Sequence, residues 1–199
     1  MPIKLFLLGR PGCGKSSATR HIIRHIENKK WFIKSFKDFD ILKEMSEKAQ
    51  YKQAFKKTLY DGFDIIDESV FDVALKELDA RLFSYISNTS ADEIISIEFA
   101  RSDYIEAFQY FSSFVLKDAH ILFINTDLNE CIKRVKQRMI NPKSTDDHYV
   151  SKKAIKKFYA KQILPDANMF PEKFKLVDNN GSVADFETKI DNFVKDFLK

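Results

Sequence analysis

Glycine and proline are scarce in this chain, five of each among 199 residues, and cysteine occurs only at Cys13 and Cys131. Two cysteines leave no basis for a disulfide framework. The low glycine and proline content, with no repeat or Ser-rich stretch, excludes collagen-like, low-complexity and linker-dominated chains. Long apolar runs are missing as well: Leu5 to Leu8 and Ile121 to Ile124 fall far short of the ~20 residues that a membrane span needs. Nor is there an excess of one charge. Thirty-three basic against 29 acidic residues leave a net +4, which suits a protein that holds polyanionic nucleotides but is too mild to argue for nucleic-acid binding. What remains is a chain that is 44% apolar and 31% charged, long enough for one domain, residues 1–199, with a true hydrophobic core. A phosphate-type motif begins nine residues in and leaves no room for a cleavable targeting segment, so a cytoplasmic location is expected.

Helical and strand-like stretches alternate from end to end, the signature of an α/β domain. Ile3 to Leu8 is nearly continuously apolar, as in a strand buried on both faces of a parallel sheet. Further strands are expected over 31–36, 93–99, 119–125 and 173–177. Helices are expected from 15 to about 28, and from 41 to about 57 with Leu42, Met45 and Ala49 inward. Others run from 67 to about 86, over 104–114 and 128–140, through Ala154, Ile155, Phe158, Tyr159 and Ile163 to a stop at Pro165, and over 183–197. Residues 61–66 fit neither period. The expected architecture is a three-layer α/β/α sandwich with about five parallel strands.

Gly9-Arg10-Pro11-Gly12-Cys13-Gly14-Lys15-Ser16 satisfies G-x-x-x-x-G-K-[ST] between an expected strand and an expected helix, which is the context a P-loop requires. Three of the five glycines fall in this segment. Their missing side chains let the backbone wrap phosphate oxygens with its N–H groups turned inward. Lys15 is expected at the β and γ phosphates, Ser16 at Mg²⁺, and Ser17 in the opening turn of the following helix, whose positive end favours anions. ATP and Mg²⁺ are the expected ligands.

Other readings of a nucleotide loop lack their partners. The nearest approach to a guanine-reading N-K-x-D, Asn125-Thr126-Asp127-Leu128, does not match. Asp178-Asn179-Asn180-Gly181 fits D-x-x-G but follows the last strand and reads as a turn, and the chain is too short for the helical lid of an AAA+ module. Elsewhere, Ile94 to Arg101 ends an expected strand with Glu98 and Arg101. Arg134 and Arg138 lie one helical turn apart ahead of the polar stretch 141–147, the centre of an expected lid at about 134–150.

With Gly9 to Ser16, these pieces resemble the P-loop kinases of small molecules, the nucleoside and nucleoside-monophosphate kinase-like superfamily, over nearly the whole chain. The resemblance implies a P-loop NTPase fold with strand order 2-3-1-4-5 and a lid arginine closing over the transferred phosphoryl group. Glu98 stands where many members carry aspartate, and no signature names one acceptor.

On this reading Lys15, Glu98, Arg134 and Arg138 are the catalytic candidates, with Ser16 and Glu98 at the metal. Glu98 is alternatively a partner for a helix N-terminus, and Arg134 and Arg138 alternatively part of a solvated basic face. Arg101 is an acceptor clamp or a surface ion pair with Asp103 or Glu106. Asp38 and Asp40 follow the second strand, where similar kinases hold the acceptor hydroxyl, although Asp40 also suits the N-cap of a helix starting at Ile41. Asp67 reads as a helix-start acid. Lys152, Lys153, Lys156, Lys157 and Lys161 read as the wet side of an amphipathic helix. His148 with Asp146 and Asp147 lacks ligand spacing, and Phe108, Tyr110, Phe111 and Phe114 read as core rather than as a base-stacking surface. The expected activity is transfer of the γ-phosphoryl group of ATP to a small acceptor such as a nucleoside or nucleotide. A polynucleotide 5′-hydroxyl kinase and a non-catalytic NTP switch stay open, with nucleic acid not favoured.

Overall fold

Every residue of the strand Glu93–Phe99 is buried, and its neighbour Ile3–Leu8 is buried from Leu5 onward, so the centre of the sheet is sealed on both faces. The computed structural model describes residues 2–26, 31–58, 62–90, 92–140, 149–170 and 173–197. The expected polar stretch 141–147 and His148 lie outside the described residues.

In chain order the elements are β1 (Ile3–Leu8), α1 (Lys15–Ile26), β2 (Phe32–Lys37), α2 (Asp38–Glu47), β3 (Phe55–Lys57), β4 (Phe63–Ile65), α3 (Ser69–Asn88), β5 (Glu93–Phe99), α4 (Tyr104–Phe108), α5 (Ser113–Leu116), β6 (His120–Asn125), α6 (Leu128–Ile140), α7 (Lys152–Tyr159), β7 (Phe174–Asp178) and α8 (Val183–Phe197). Five strands form one sheet in the order β2-β5-β1-β6-β7, with every pairing parallel. Counted within that sheet alone, the order is 2-3-1-4-5, as the resemblance implied. Helices cover both faces.

The two-residue period of a strand sorts the core into two layers. Phe6 and Leu8 of β1, Ile95, Ile97 and Phe99 of β5, and Ile121 and Phe123 of β6 face one side, against α2, α3, α4 and α5. Leu5 and Leu7, Ile94, and Leu122 and Ile124 face the other, against α1 and α8. By the same alternation Glu98 shares the α1 side of β5 with Ile94. The six apolar positions expected in the long helix, Val70, Phe71, Ala74, Leu75, Leu78 and Leu82, are the buried ones in α3.

Three expected boundaries are corrected. The helix expected from 41 to 57 begins at Asp38 and ends at Glu47, and Ala49 is exposed rather than inward. Lys48 leaves helical geometry at φ −83°, ψ 135°, and the chain turns into an antiparallel hairpin in which Phe55 pairs with Ile65 and Lys57 with Phe63. The helix expected over 104–114 is two short ones. Asp79 of α3 accepts hydrogen bonds from the backbone N–H and the hydroxyl of Ser112, at 2.9 and 3.0 Å, and fixes the break between them. Ile163 is not helical: its N–H donates to the Ser102 carbonyl at 2.7 Å and its carbonyl accepts from the Tyr104 N–H at 3.0 Å.

Phe108 and Phe111 are core, while Phe114 is 42% exposed against Phe83. Phe6 meets the rings of Phe99, Phe108 and Phe111 at 6.2, 5.3 and 5.2 Å. Phe6→Ala is therefore expected to lower stability by ~3–5 kcal/mol, as measured by urea unfolding followed by far-UV circular dichroism.

Candidate active site

The loop between β1 and α1 holds a backbone that only glycine tolerates at three positions. Gly9, Gly12 and Gly14 have φ of 133°, 84° and 116°, a region closed to most L side chains. A Cβ on Gly12 would lie 2.6 Å from the Cys131 carbonyl oxygen, and one on Gly14 would lie 2.5 Å from Asn179 Nδ2. The glycines thus let the loop press against α6 and the end of β7, a packing reason that adds to the phosphate argument.

Three side chains from distant segments and one of the loop's own fix it in place. The Tyr104 hydroxyl accepts from the Gly9 N–H at 2.9 Å. Asn179 Nδ2 and Thr126 Oγ1 both donate to the Cys13 carbonyl, at 2.7 and 3.1 Å. Arg10 turns away from the loop's concave side. Its guanidinium donates to the carbonyls of Tyr159, Thr126 and Ala160, at 2.7, 3.1 and 3.3 Å. None of the four was singled out for this role by sequence, because each partner lies at least 95 residues away. Burial pushes the Cys13 thiol up and the Cys131 thiol up to about 12, so neither is a thiolate at neutral pH.

Lys15 folds back across the loop, its ammonium donating to the carbonyls of Gly9 at 2.8 Å and Arg10 at 3.1 Å. Ser16 and Ser17 open α1 beside it. Glu98, 5% exposed at the end of β5, accepts a hydrogen bond of 2.9 Å from Thr19 Oγ1, one turn beyond Lys15 on α1. That threonine had a signal in sequence, since it sits four residues after the motif lysine on the same helical face.

Arg101 does not pair with Asp103 or Glu106. Asp103 instead caps α4, accepting from the Glu106 N–H at 3.0 Å, and Arg101 reaches 63 residues back to Asp38 at 2.6 Å. The same guanidinium donates to the carbonyls of Ala100 and Phe71, at 2.6 and 2.8 Å, and lies 4.5 Å from the Phe71 ring centroid. Both partners of this pair are only 8% exposed. Asp40 does not cap α2, whose N-cap is Lys37. It is exposed one position on from Phe39, outside the cleft lining.

The phosphate loop, Glu98 and Asp38 border a cleft of about 800 Å³, the size of a small-molecule site, and its lining does not include Arg101. Pro11, Gly12, Gly14, Lys15, Ser16 and Ser17 line its floor, with Glu98 and Asp38 beyond them. Arg134 and Arg138 both reach it from α6. Arg134 is turned toward the end of β7, donating to Glu130 Oε1 and to the Asn179 carbonyl, each at 3.0 Å. The lysines of α7 stay on its wet face. The chemistry of the floor is that of an anion cradle, with backbone N–H groups at a helix N-terminus, an ammonium and a hydroxyl, faced by one buried carboxylate.

Against solved structures, the chain aligns with an APS kinase from Mycobacterium tuberculosis in complex with AMPPNP and APS, at TM-score 0.59 and 13% identity over 98% of both chains. The chain has the fold of the P-loop small-molecule kinases. The same P-loop kinase fold is seen in a gluconokinase from Sinorhizobium meliloti, at TM-score 0.55 and 13% identity over 98% of this chain and 92% of that one. Kti12 from Chaetomium thermophilum, in complex with ADP-AlF3, matches at TM-score 0.58 and 10% identity over 96% and 97%. No protein-family model matches the chain, and no curated relative is found by sequence. No helix among the described residues is long and apolar enough to cross a membrane.

The Asp38–Arg101 pair predicts an asymmetry between neighbouring aspartates. Asp38→Ala leaves a guanidinium buried without its counter-charge and should cost up to ~3–5 kcal/mol, whereas Asp40→Ala, at an exposed position, should cost ~1 kcal/mol or less. Equal effects of the two in chemical denaturation would contradict the buried pair.

Proposed function

We propose that this protein is a Mg²⁺-dependent kinase that moves the γ-phosphoryl group of ATP to a hydroxyl or phosphate oxygen of a small acceptor, a nucleoside or nucleotide. One observation carries the reading. The cleft lined by the phosphate loop is lined as well by Asp38, Phe39, Phe63, Phe71 and Phe158, so one cavity of about 800 Å³ has room for both a donor and an acceptor. A nucleotide switch would need only the part of it that the phosphate loop lines.

In this mechanism the loop's N–H groups and Lys15 hold the donor's phosphates, the ammonium exchanging its bonds to the Gly9 and Arg10 carbonyls for phosphate oxygens. Ser16 Oγ and the Glu98 carboxylate, both on the lining of the cleft, would hold Mg²⁺ as hard oxygen donors, and the ion would supply positive charge to the donor's phosphates. Thr19 keeps Glu98 aimed at that position. The acceptor oxygen attacks the γ phosphorus. A new P–O bond forms as the bond to the β-γ bridging oxygen breaks, ADP leaves with the electron pair, and the hydroxyl proton passes to a carboxylate. Asp38 is the candidate, oriented by Arg101 as a base is oriented by a charged neighbour. Arg138, with Arg134 behind it, answers the charge that spreads over the transferred oxygens. Arg101 acts here by holding Asp38 rather than by gripping the acceptor.

Lys15→Ala should preserve the fold and severely weaken ATP binding or turnover, and Glu98→Gln should depress transfer with ATP affinity largely retained. Both are checked by labelled-ATP transfer beside calorimetric binding of AMP-PNP. Unchanged binding and turnover in Lys15→Ala would sink the donor-site assignment. Arg138→Ala should cut turnover more than ATP affinity, arginine fingers being worth ~10³–10⁵ in rate elsewhere. A loss below about tenfold for both Arg134→Ala and Arg138→Ala would remove them from the reaction.

A further inference from the structure

The chain's net +4 conceals how unevenly its charge is placed. Residues 131–165 hold ten basic and two acidic residues, which leaves 23 basic against 27 acidic in the rest of the chain. The two acids, Asp146 and Asp147, fall outside the described residues. Within that span α6 and α7 pack against each other, and both line the cleft, through Gln137 and Arg138 of α6 and Ala154, Phe158 and Tyr159 of α7. The positive charge thus belongs to one corner of the molecule, beside the cleft.

The lysines of this corner lack the acids that accompany cations on other helices. Arg81 of α3 reaches Glu77 and Glu44, and Lys189 of α8 reaches Asp185. In the corner Lys133 meets Glu130 and Lys157 meets Glu68. Lys136, Lys152, Lys153, Lys156 and Lys161, however, are exposed and form no ion pair with any described residue. A face kept only for solubility mixes its signs, whereas like charges left together repel one another until an anion arrives.

The surroundings narrow the anion. Ala154, Ile155 and Tyr159 of α7 are buried in the domain, so this helix has no apolar face to lay into a bilayer. No exposed residue of α6 or α7 is aromatic, so these helices offer no ring on which unpaired bases could stack. An acidic protein segment would have to be ordered first, at a cost in entropy. A nucleic-acid duplex already presents a fixed charge every ~1.7 Å along its axis. We infer that the α6–α7 corner is a docking surface for a nucleic-acid duplex, holding its phosphate backbone without reading its bases. This surface lies outside the phosphate loop and does not depend on the phosphotransfer reading.

The test is fluorescence anisotropy of the full chain with a fluorescein-labelled duplex of about 20 base pairs, DNA in one arm and RNA in the other, from ~50 to ~200 mM salt. At least one duplex should bind, with log K falling against log salt at a slope of about −4 or steeper. Saturating AMP-PNP should leave that binding unchanged. Substituting Lys152, Lys153, Lys156 and Lys161 together by Ala should weaken it tenfold or more at low salt and make the slope shallower by about three to four, roughly one for each phosphate contact. A charge-matched control, with the exposed Lys43, Lys52, Lys175 and Lys195 replaced by Ala, should lose less than threefold. AMP-PNP affinity measured by calorimetry should match the parent in both variants. Equal losses in the two variants, displacement of the duplex by AMP-PNP, or binding of polyglutamate, anionic vesicles or the separated single strand as tightly as the duplex would overturn the inference. The panel of anions on the native chain decides even if the quadruple variant does not fold.

Discussion

The carbonyl oxygen of Cys13 receives two buried hydrogen bonds, from Asn179 at 2.7 Å and Thr126 at 3.1 Å, and the geometry of the site depends on this fork. It joins the ends of β6 and β7 to the middle of the phosphate loop, while Tyr104 joins the segment after β5 to its first glycine. A loop with three left-handed glycines is expensive to order, and on its own it would sample many shapes. Held from three strand ends, it presents one. In a buried setting each of these bonds is also costly to lose, because the carbonyl or N–H left behind has no water to turn to. The strand order is what makes this possible, since β1 is flanked by β5 and β6 and their ends open on the same side of the sheet.

The same ends also sort the charges. Glu98 reaches the floor because alternation along β5 puts it on the α1 side, where Thr19 meets it, while Arg101, beyond the strand, swings to Asp38. Two residues expected side by side in the cleft therefore part company. One carboxylate, held by Thr19, lines the cleft together with Lys15 and Ser16 of the loop. The guanidinium is withdrawn into a pair whose other acceptors are backbone carbonyls.

What could be read from sequence was what local periodicity and a local motif decide. β1, β5, α6 and α8 fall on their expected residues because a continuous apolar run or a 3.6-residue stripe is enough to specify them. The buried set of α3 was legible for the same reason. Lys15 and Ser16 were legible because their chemistry lies within eight consecutive residues. The failures all involve partners outside the element concerned. Asp79 interrupts the helix around Ser112, Ser102 draws Ile163 out of a helix, and the pairing of 55–57 with 63–65 outcompetes continued helix beyond Glu47. At the site, Asp38 with Arg101 and Asn179 with Cys13 are separated by 63 and 166 residues, so no spacing rule could join them.

Arg10 occupies one of the four unspecified positions of the loop motif, yet its guanidinium is spent on the last carbonyls of α7 and on Thr126. Those carbonyls form the negative end of the α7 dipole, so the arginine satisfies a helix terminus while it sits next to a site built for anions. The consequence is a bookkeeping of identity rather than of energy. A pattern that writes these positions as x treats any residue there as equivalent. In this chain that letter hides a clamp between the first loop of the domain and a helix about 150 residues later, and a loop transplanted here with the motif intact but without Arg10 would carry the signature and lose the joint.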